Sequence, residues 1–321
     1  MFNRLAIPAA TFGLVTIVSG CASPISQDFL AGPNANQNGE LQHAQHRVRP
    51  ASGSYGDLLY VAPADPGQLV AYYTYPAGEL VGTLNATARG LCSDTKGNVF
   101  LIGDGYIQEF AHGGTSPINE FGNGNYIYQS CSVDPTTGNL AVTFSGYYGA
   151  GVAIFKNAKG NQTTYTDSDF EHMLYCGYDG SGNLFADGYI GGDPGAFAEL
   201  PAGASELKTV LLAFGIERPG QVQWDGKYMT IADEEARKIY RVAFNSSGAT
   251  VVGRTAIKHS GGGFGGTWIY GGTAIVPVRR NGKKQGAKNI GFWNYPQGGS
   301  PTKVFQGPGY GPMAVTISPG S

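Results

Sequence analysis

Leu91-Cys92-Ser93-Asp94-Thr95-Lys96-Gly97-Asn98-Val99-Phe100-Leu101 joins two short apolar runs through an acidic turn that ends in Gly-Asn. An Asp side chain can accept hydrogen bonds from the backbone of its own turn, and Gly supplies a positive φ. The stretch therefore reads as a β-hairpin. The pattern returns as Cys131-Ser132-Val133-Asp134-Pro135-Thr136-Thr137-Gly138-Asn139-Leu140-Ala141-Val142, and again as Cys176-Gly177-Tyr178-Asp179-Gly180-Ser181-Gly182-Asn183-Leu184-Phe185-Ala186. Val222-Gln223-Trp224-Asp225-Gly226-Lys227-Tyr228-Met229-Thr230-Ile231 is a shortened fourth copy. Trp268-Ile269-Tyr270-Gly271-Gly272-Thr273-Ala274-Ile275-Val276 is a fifth, with Gly-Gly at the turn.

The residues just past these turns, Asn98, Asn139, Asn183, Lys227 and Thr273, are spaced by 41, 44, 44 and 46. A second pair of apolar runs follows each hairpin, around Gly113-Gly114, Gly160, Gly203, Gly248 and Gly298-Gly299. Four short strands in forty-odd residues make one blade of a β-propeller. The first blade enters at residues 58–61 without a strand before it, and continues through 69–75 and 79–84 around Pro76-Ala77-Gly78. Residues 313–317, Met-Ala-Val-Thr-Ile, supply the missing strand from the other end of the chain and remove an exposed sheet edge. From 57 to 318 this gives about 44 residues per blade over six blades. The expected fold is all-β: a six-bladed propeller of four-stranded blades, closed by the C-terminal strand joining the N-terminal blade.

Composition agrees. The chain has 51 Gly, 18 Pro, 19 Tyr and 16 Phe in 321 residues, with only 14% charged, which is turn-rich and aromatic rather than helical. A net charge of −2 gives no sign of a nucleic-acid partner.

The turn motif Asp-x-x-Gly-Asn followed by an aliphatic-aromatic strand resembles the NHL and regucalcin/gluconolactonase-like group of propellers. The resemblance extends over nearly the whole of 57–318, and its motifs are architectural, so they carry fold and little function. The N-terminus has a different signature. Met1-Phe2-Asn3-Arg4 precedes an apolar run at 5–18, and Val18-Ser19-Gly20-Cys21 resembles the bacterial lipobox. The resemblance implies a signal peptide at 1–20 and lipidation at Cys21, which would anchor the chain to a membrane on the extracytoplasmic side of the cell envelope. Ala22 follows Cys21, which under the enteric sorting rule favours the outer membrane. Residues 21–54 are polar and without apolar period, and read as a flexible tether to a propeller domain at 55–321. His43, His46, Arg47 and Arg49 there suit a solvated linker better than a metal or anion site.

In such a propeller one face gathers the loops leading into each blade and the loops joining second and third strands, with the channel opening between them. The first set offers Arg89, Gln129, His172, Arg218, Phe264 and Tyr310. The second offers Asp65, Asp104, Ser145, Tyr147, Tyr148, Asp187, Asp193, Asp233, Glu234, Glu235, Arg279 and Arg280. Lactonases of the gluconolactonase group are expected to hold a divalent ion on acidic and amide side chains at the channel positions. Here Arg, Gln, His and Arg occupy those positions, so that activity is not carried over, and no metal or other cofactor is expected. Asp104, Asp187 and Asp233 occupy equivalent places and could cluster, but an Asp ending a second strand more simply bonds the backbone of the next turn.

His172 is the one histidine at a channel position and, with Glu171, Arg89 and Arg218, is the candidate for proton transfer. Lyases of the virginiamycin B lyase type would use such a set. His112 and His259 fall in turns without an evident partner. Arginines ringed by tyrosines also suit a carboxylate-bearing or saccharide ligand, or a peptide. The expected function is a monomeric binding or scaffold module. The alternative is an envelope hydrolase or lyase around His172, Arg89 and Arg218.

After Cys21, the odd number of cysteines leaves one thiol of Cys92, Cys131 and Cys176 unpaired unless it joins another chain. All three fall on first strands. Cys131 and Cys176 lie three residues before the turn Asp and Cys92 two, so Cys92 faces oppositely to the others. They read as small buried residues. A Cys131–Cys176 disulfide would demand Cα atoms within about 7 Å across neighbouring blades. Gly261-Gly262-Gly263 precedes a strand rather than a helix and is no nucleotide loop.

Overall fold

A computed structural model describes residues 55–64, 67–146, 149–191, 193–245, 248–261, 264–278, 289–307 and 311–320, with the side chains of 193 and 194 excepted. Cys21, the tether, Asp65, Tyr147, Tyr148, Arg279, Arg280, Tyr310 and the side chain of Asp193 lie outside the described residues.

The strands form six four-stranded antiparallel sheets. From the inside outward, blade 1 is Pro312–Ser318, Leu58–Pro63, Ala71–Thr74 and Leu80–Thr83. Blade 2 is Gly90–Ser93, Val99–Ile102, Ile107–Phe110 and Pro117–Phe121, and blade 3 is Ile127–Val133, Leu140–Ser145, Gly151–Phe155 and Gln162–Thr166. Blade 4 is Phe170–Tyr178, Leu184–Ile190, Asp193–Leu200 and Lys208–Thr209. Blade 5 is Pro219–Trp224, Met229–Asp233, Lys238–Asn245 and Gly248–Ala256, and blade 6 is Trp268–Tyr270, Thr273–Val278, Asn289–Asn294 and Lys303–Gln306.

The repeated turns close as their chemistry requires. Asp94 accepts the backbone N–H of Lys96 and Asn98, and Asp179 accepts those of Ser181 and Asn183. Gly97 (φ 88°) and Gly182 (φ 83°) take the left-handed position that a side chain would strain.

The second strands are buried on both faces, which is why they read as unbroken apolar runs. Alternate residues serve different cores. Leu58, Tyr60 and Ala62 pack toward blade 2, and Leu59 and Val61 toward blade 6. Among the described residues six hydrophobic clusters each fill the space between two adjacent blades. Trp268, on the inner strand of blade 6, packs against the cluster between blades 2 and 3 as well as the one between blades 6 and 1, so its indole reaches across the ring.

Cys92 and Cys131 form a disulfide with a Cα–Cα distance of 5.6 Å, and Cys176 is free and buried. This corrects both the reading of three unlinked residues and the alternative Cys131–Cys176 pair. Two neighbouring blades meet through opposite strand faces, the forward face of one and the backward face of the next. Cys92 and Cys131 have that opposite parity and share one cluster, whereas Cys176, with the parity of Cys131, lies in the next cluster round.

The ring closes through Leu58–Pro63 paired antiparallel with Pro312–Ser318, with Leu58 opposite Ser318. Around that seam His112 has the partners its turn position did not suggest. Its Nδ1 lies 2.6 Å from Ser318 Oγ and its Nε2 lies 3.3 Å from the Tyr55 carbonyl. Ser318 Oγ donates to the Gly97 carbonyl at 2.5 Å. The seam is thus clasped to a hairpin of blade 2.

Candidate functional site

At the end of the channel where the inner strands begin, a cavity of about 190 Å³ receives residues from every blade. Arg89 and Gln129 come from blades 2 and 3, Tyr175 and Tyr189 from blade 4, Arg218, Gln221 and Glu234 from blade 5, Gly266 from blade 6 and Met313 from blade 1. Arg89, Gln129 and Arg218 are thus brought together as the repeat implied.

The two arginines are not bare charges. Arg89 Nε and Nη2 donate to the two oxygens of Asp104 at 2.5 and 3.1 Å, a bidentate pair in which both side chains stay exposed. Arg218 Nη2 lies 3.5 Å from Glu235. Exposed pairs of this kind are worth about 0–1 kcal/mol, so a ligand can compete for either guanidinium.

The three repeat aspartates diverge. Asp104 holds Arg89. Asp233 accepts the backbone N–H of Glu217, Arg218 and Ala236 at 2.9, 3.2 and 3.0 Å, which fixes the loop that carries Arg218 and the turn that follows its own strand. Asp187 is fully buried. Its Oδ1 accepts the Tyr175 N–H at 3.0 Å, while Oδ2 has no hydrogen-bond partner among the described residues. Burial, and after it the nearby Glu234, pushes the Asp187 carboxyl well above the usual carboxylate range. Tyr175 connects the two acids, since its hydroxyl lies 3.4 Å from Glu234 Oε1. Among the described residues no three His, Cys, Asp or Glu side chains gather as a metal site.

His172 does not line the mouth. It is exposed, with its ring edge-on to Tyr189 at 6.4 Å, and its neighbour Glu171 is also exposed. The inner strand of blade 4 has an irregular register between Met173 and Cys176, as that of blade 3 has between Tyr128 and Cys131, and Leu174 and Tyr175 line the channel there as Gln129 and Ser130 do in blade 3. Phe264 is wholly buried in the core between blades 5 and 6 and offers no surface to a ligand. Ser145 is buried and bonds the Met173 backbone N–H and carbonyl, both at 3.2 Å, tying blade 3 to blade 4.

Tyr175, Tyr189, Gln221 and Met313 were not singled out by the sequence. A signal existed. Arg89 and Gln129 stand five residues before their turn aspartates, and the same count from Asp179 gives Leu174.

Two larger cavities open at the hairpin-turn end. One, of about 560 Å³, is lined by Phe100, Glu109, Trp268 and Tyr270 among others. Size alone does not make it the site. Asp94 and Asp134 on its wall are engaged by their own turns, and the Gln223 amide is paired in both senses with the Ile269 backbone at 2.9 and 2.7 Å. The other cavity lies between blades 5 and 6.

Fold and site together define a six-bladed β-propeller with a polar, tyrosine-flanked channel mouth. No protein-family model matches the chain, and no curated protein matches it. Solved propellers do. A protein of unknown function from Bacteroides caccae superposes with a TM-score of 0.57 at 11% identity, covering 82% of this chain and 99% of its own. A chain of a nidogen/laminin complex gives 0.62 at 12% identity, covering 82% and 98%. The Cps50 (Swd1) β-propeller domain of Myceliophteria thermophila gives 0.53 at 12% identity, covering 79% and 83%. At these identities the likeness establishes the fold alone.

Proposed function

We propose that this chain is an exported binding propeller with NHL-like repeats, lipid-anchored through Cys21 in the cell envelope, that holds a small polar ligand at its channel mouth. The observation that carries the reading is the convergence on one cavity of two arginines in exposed, competable pairs, two glutamines and two tyrosines, drawn from four blades. Such a set suits a carboxylate-bearing molecule, a saccharide or a peptide end, with guanidinium groups meeting the polar part and phenol rings the apolar part. The Cys92–Cys131 disulfide supports export, because structural disulfides persist in oxidising compartments.

The alternative is a hydrolase or lyase built on His172, Arg89 and Arg218. The place of His172, exposed against Tyr189 and outside the mouth, favours binding over catalysis.

Thermal-shift screening of carboxylates, saccharides and short peptides tests the mouth. A ligand that stabilises the wild type and loses that effect in Arg218→Ala and Tyr189→Ala supports it, and a stabilisation unaltered by either substitution refutes it. Metabolic labelling with a fatty acid tests the anchor. Label should enter the wild type and vanish in Cys21→Ser, and equal labelling of both would remove Cys21 from the proposal.

A further inference from the structure

Arg241, on the third strand of blade 5, makes no hydrogen bond or ion pair among the described residues, and its Nε is wholly buried. A guanidinium with idle donors is costly in any half-buried place, so a fold that keeps one needs a reason. Gly253 faces Arg241 across the strand pair, and a Cβ there would lie 2.6 Å from Arg241 Cζ. The guanidinium therefore lies on bare backbone, where any other residue would displace it.

Arg241 lines the cavity between blades 5 and 6, of about 560 Å³. Trp224, Tyr228, Tyr270 and Tyr295 share the wall and are all half-buried. Lys227 adds a second cation, its Nζ lying 5.2 Å from the centroid of the Tyr228 ring. The carboxylate on the same wall is already committed. Asp225 accepts the backbone N–H of Lys227 and Tyr228 at 2.9 and 2.7 Å and the Tyr295 hydroxyl at 2.5 Å. The wall thus offers an unclaimed guanidinium and an ammonium beside four aromatic rings.

We propose that this cavity binds a sugar carrying an oxyanion, carboxylate or sulfate, with the oxyanion on Arg241 and Lys227 and the apolar ring face against the aromatic side chains. Arginine's planar fork matches such an oxyanion with two parallel hydrogen bonds. Indole and phenol rings present broad apolar faces with a polar edge, which suits a ring that is apolar on one face and hydroxylated at its rim. The site is separate from the channel mouth, and its failure would leave the mouth reading untouched.

The test is a fluorescence titration of the mature protein with oligogalacturonides, sulfated galactose oligomers, neutral galactose oligomers of matched length and inorganic sulfate. Acidic oligomers should quench tryptophan emission and bind at least about tenfold more tightly than neutral ones, and Arg241→Gln should lose at least about tenfold in affinity. Trp224→Phe should lose the optical signal while calorimetry still detects the ligand. Ligand-free Arg241→Gln should melt at the same temperature as the wild type or higher, since it removes unsatisfied donors. A lower melting temperature would mark Arg241 as structural and overturn the proposal. So would equal binding of neutral and acidic oligomers, binding unaffected by Arg241→Gln, or no binding of any acidic oligomer. If inorganic sulfate binds as tightly as the oligomers, the cavity holds an adventitious ion only and the saccharide assignment falls. The uronate and sulfate arms identify which oxyanion is recognised.

Discussion

Reducing the Cys92–Cys131 disulfide gives a prediction whose size follows from the connectivity. The bond joins residues 39 apart in sequence. Closing a loop of that length removes about 13 cal/mol/K of entropy from the unfolded chain by the −2.1 − 1.5R ln n rule, or about 4 kcal/mol at 25 °C. The bond links the inner strands of blades 2 and 3, so the loss bears on the ring itself rather than on a surface loop. Urea unfolding with and without reductant, followed by tryptophan fluorescence, should show the reduced protein less stable by about that amount. Comparing two redox forms of one sequence avoids the cavity that a substitution would leave. Peptide mapping of the oxidised protein should recover the peptide containing Cys92 linked to that containing Cys131, with Cys176 the one of the three propeller cysteines that reacts with a thiol reagent in denaturant. A link to Cys176, reactive thiols at all of Cys92, Cys131 and Cys176, or coincident unfolding curves would refute the parity reasoning that places Cys92 and Cys131 on facing strand surfaces.

Two further expectations concern the channel. The folded state raises the Asp187 carboxyl above its unfolded value of about 3.9, so the native protein holds a proton that the unfolded chain releases, and stability falls as pH rises from about 4 toward the folded value. Asp187→Asn should flatten that fall, gaining on the wild type at pH near 7.5 relative to pH near 4.5 in urea melts; equal pH slopes would contradict a carboxyl raised by burial. Gly177, on the inner strand of blade 4, lies where a Cβ would come 2.6 Å from the Val222 carbonyl of blade 5. Gly177→Ala should cost about 1–3 kcal/mol by forcing the two strands apart, and a neutral effect on the urea midpoint would show that the ring yields there.

The repeat was legible because a propeller buries second strands on both faces and ends its hairpins in Asp and Gly, and both habits leave marks on consecutive residues. Closure by residues 313–317 followed from a blade one strand short at its start. The site was legible where the count from the turn was kept. Arg89 and Gln129, each five residues before its turn aspartate, reached the mouth, and the same count on blade 4 gives Leu174 rather than His172, which stands seven before Asp179. The inner strands of blades 3, 4 and 5 share an irregular register there, between Tyr128 and Cys131, Met173 and Cys176, and Pro219 and Val222, and residues inside it turn to the mouth. The disulfide was within reach of the same facts: the strand period puts Cys92 and Cys131 on opposite faces, and neighbouring blades meet through opposite faces. Arg241 over Gly253 depends on the register of two outer strands, including an irregularity between Arg241 and Val242 that the sequence does not announce.

The seam of the ring also decides how the domain meets mechanical load. Leu58–Pro63 is the second strand of its sheet, with Pro312–Ser318 on one side and Ala71–Thr74 on the other. Tension arriving through the chain before Tyr55 runs along the axis of that strand. It is met by two hydrogen-bonded ladders loaded in shear, so their bonds resist together. A domain pulled by an outer strand would unzip one bond at a time under the same load, whereas this one would take it in the middle of a sheet.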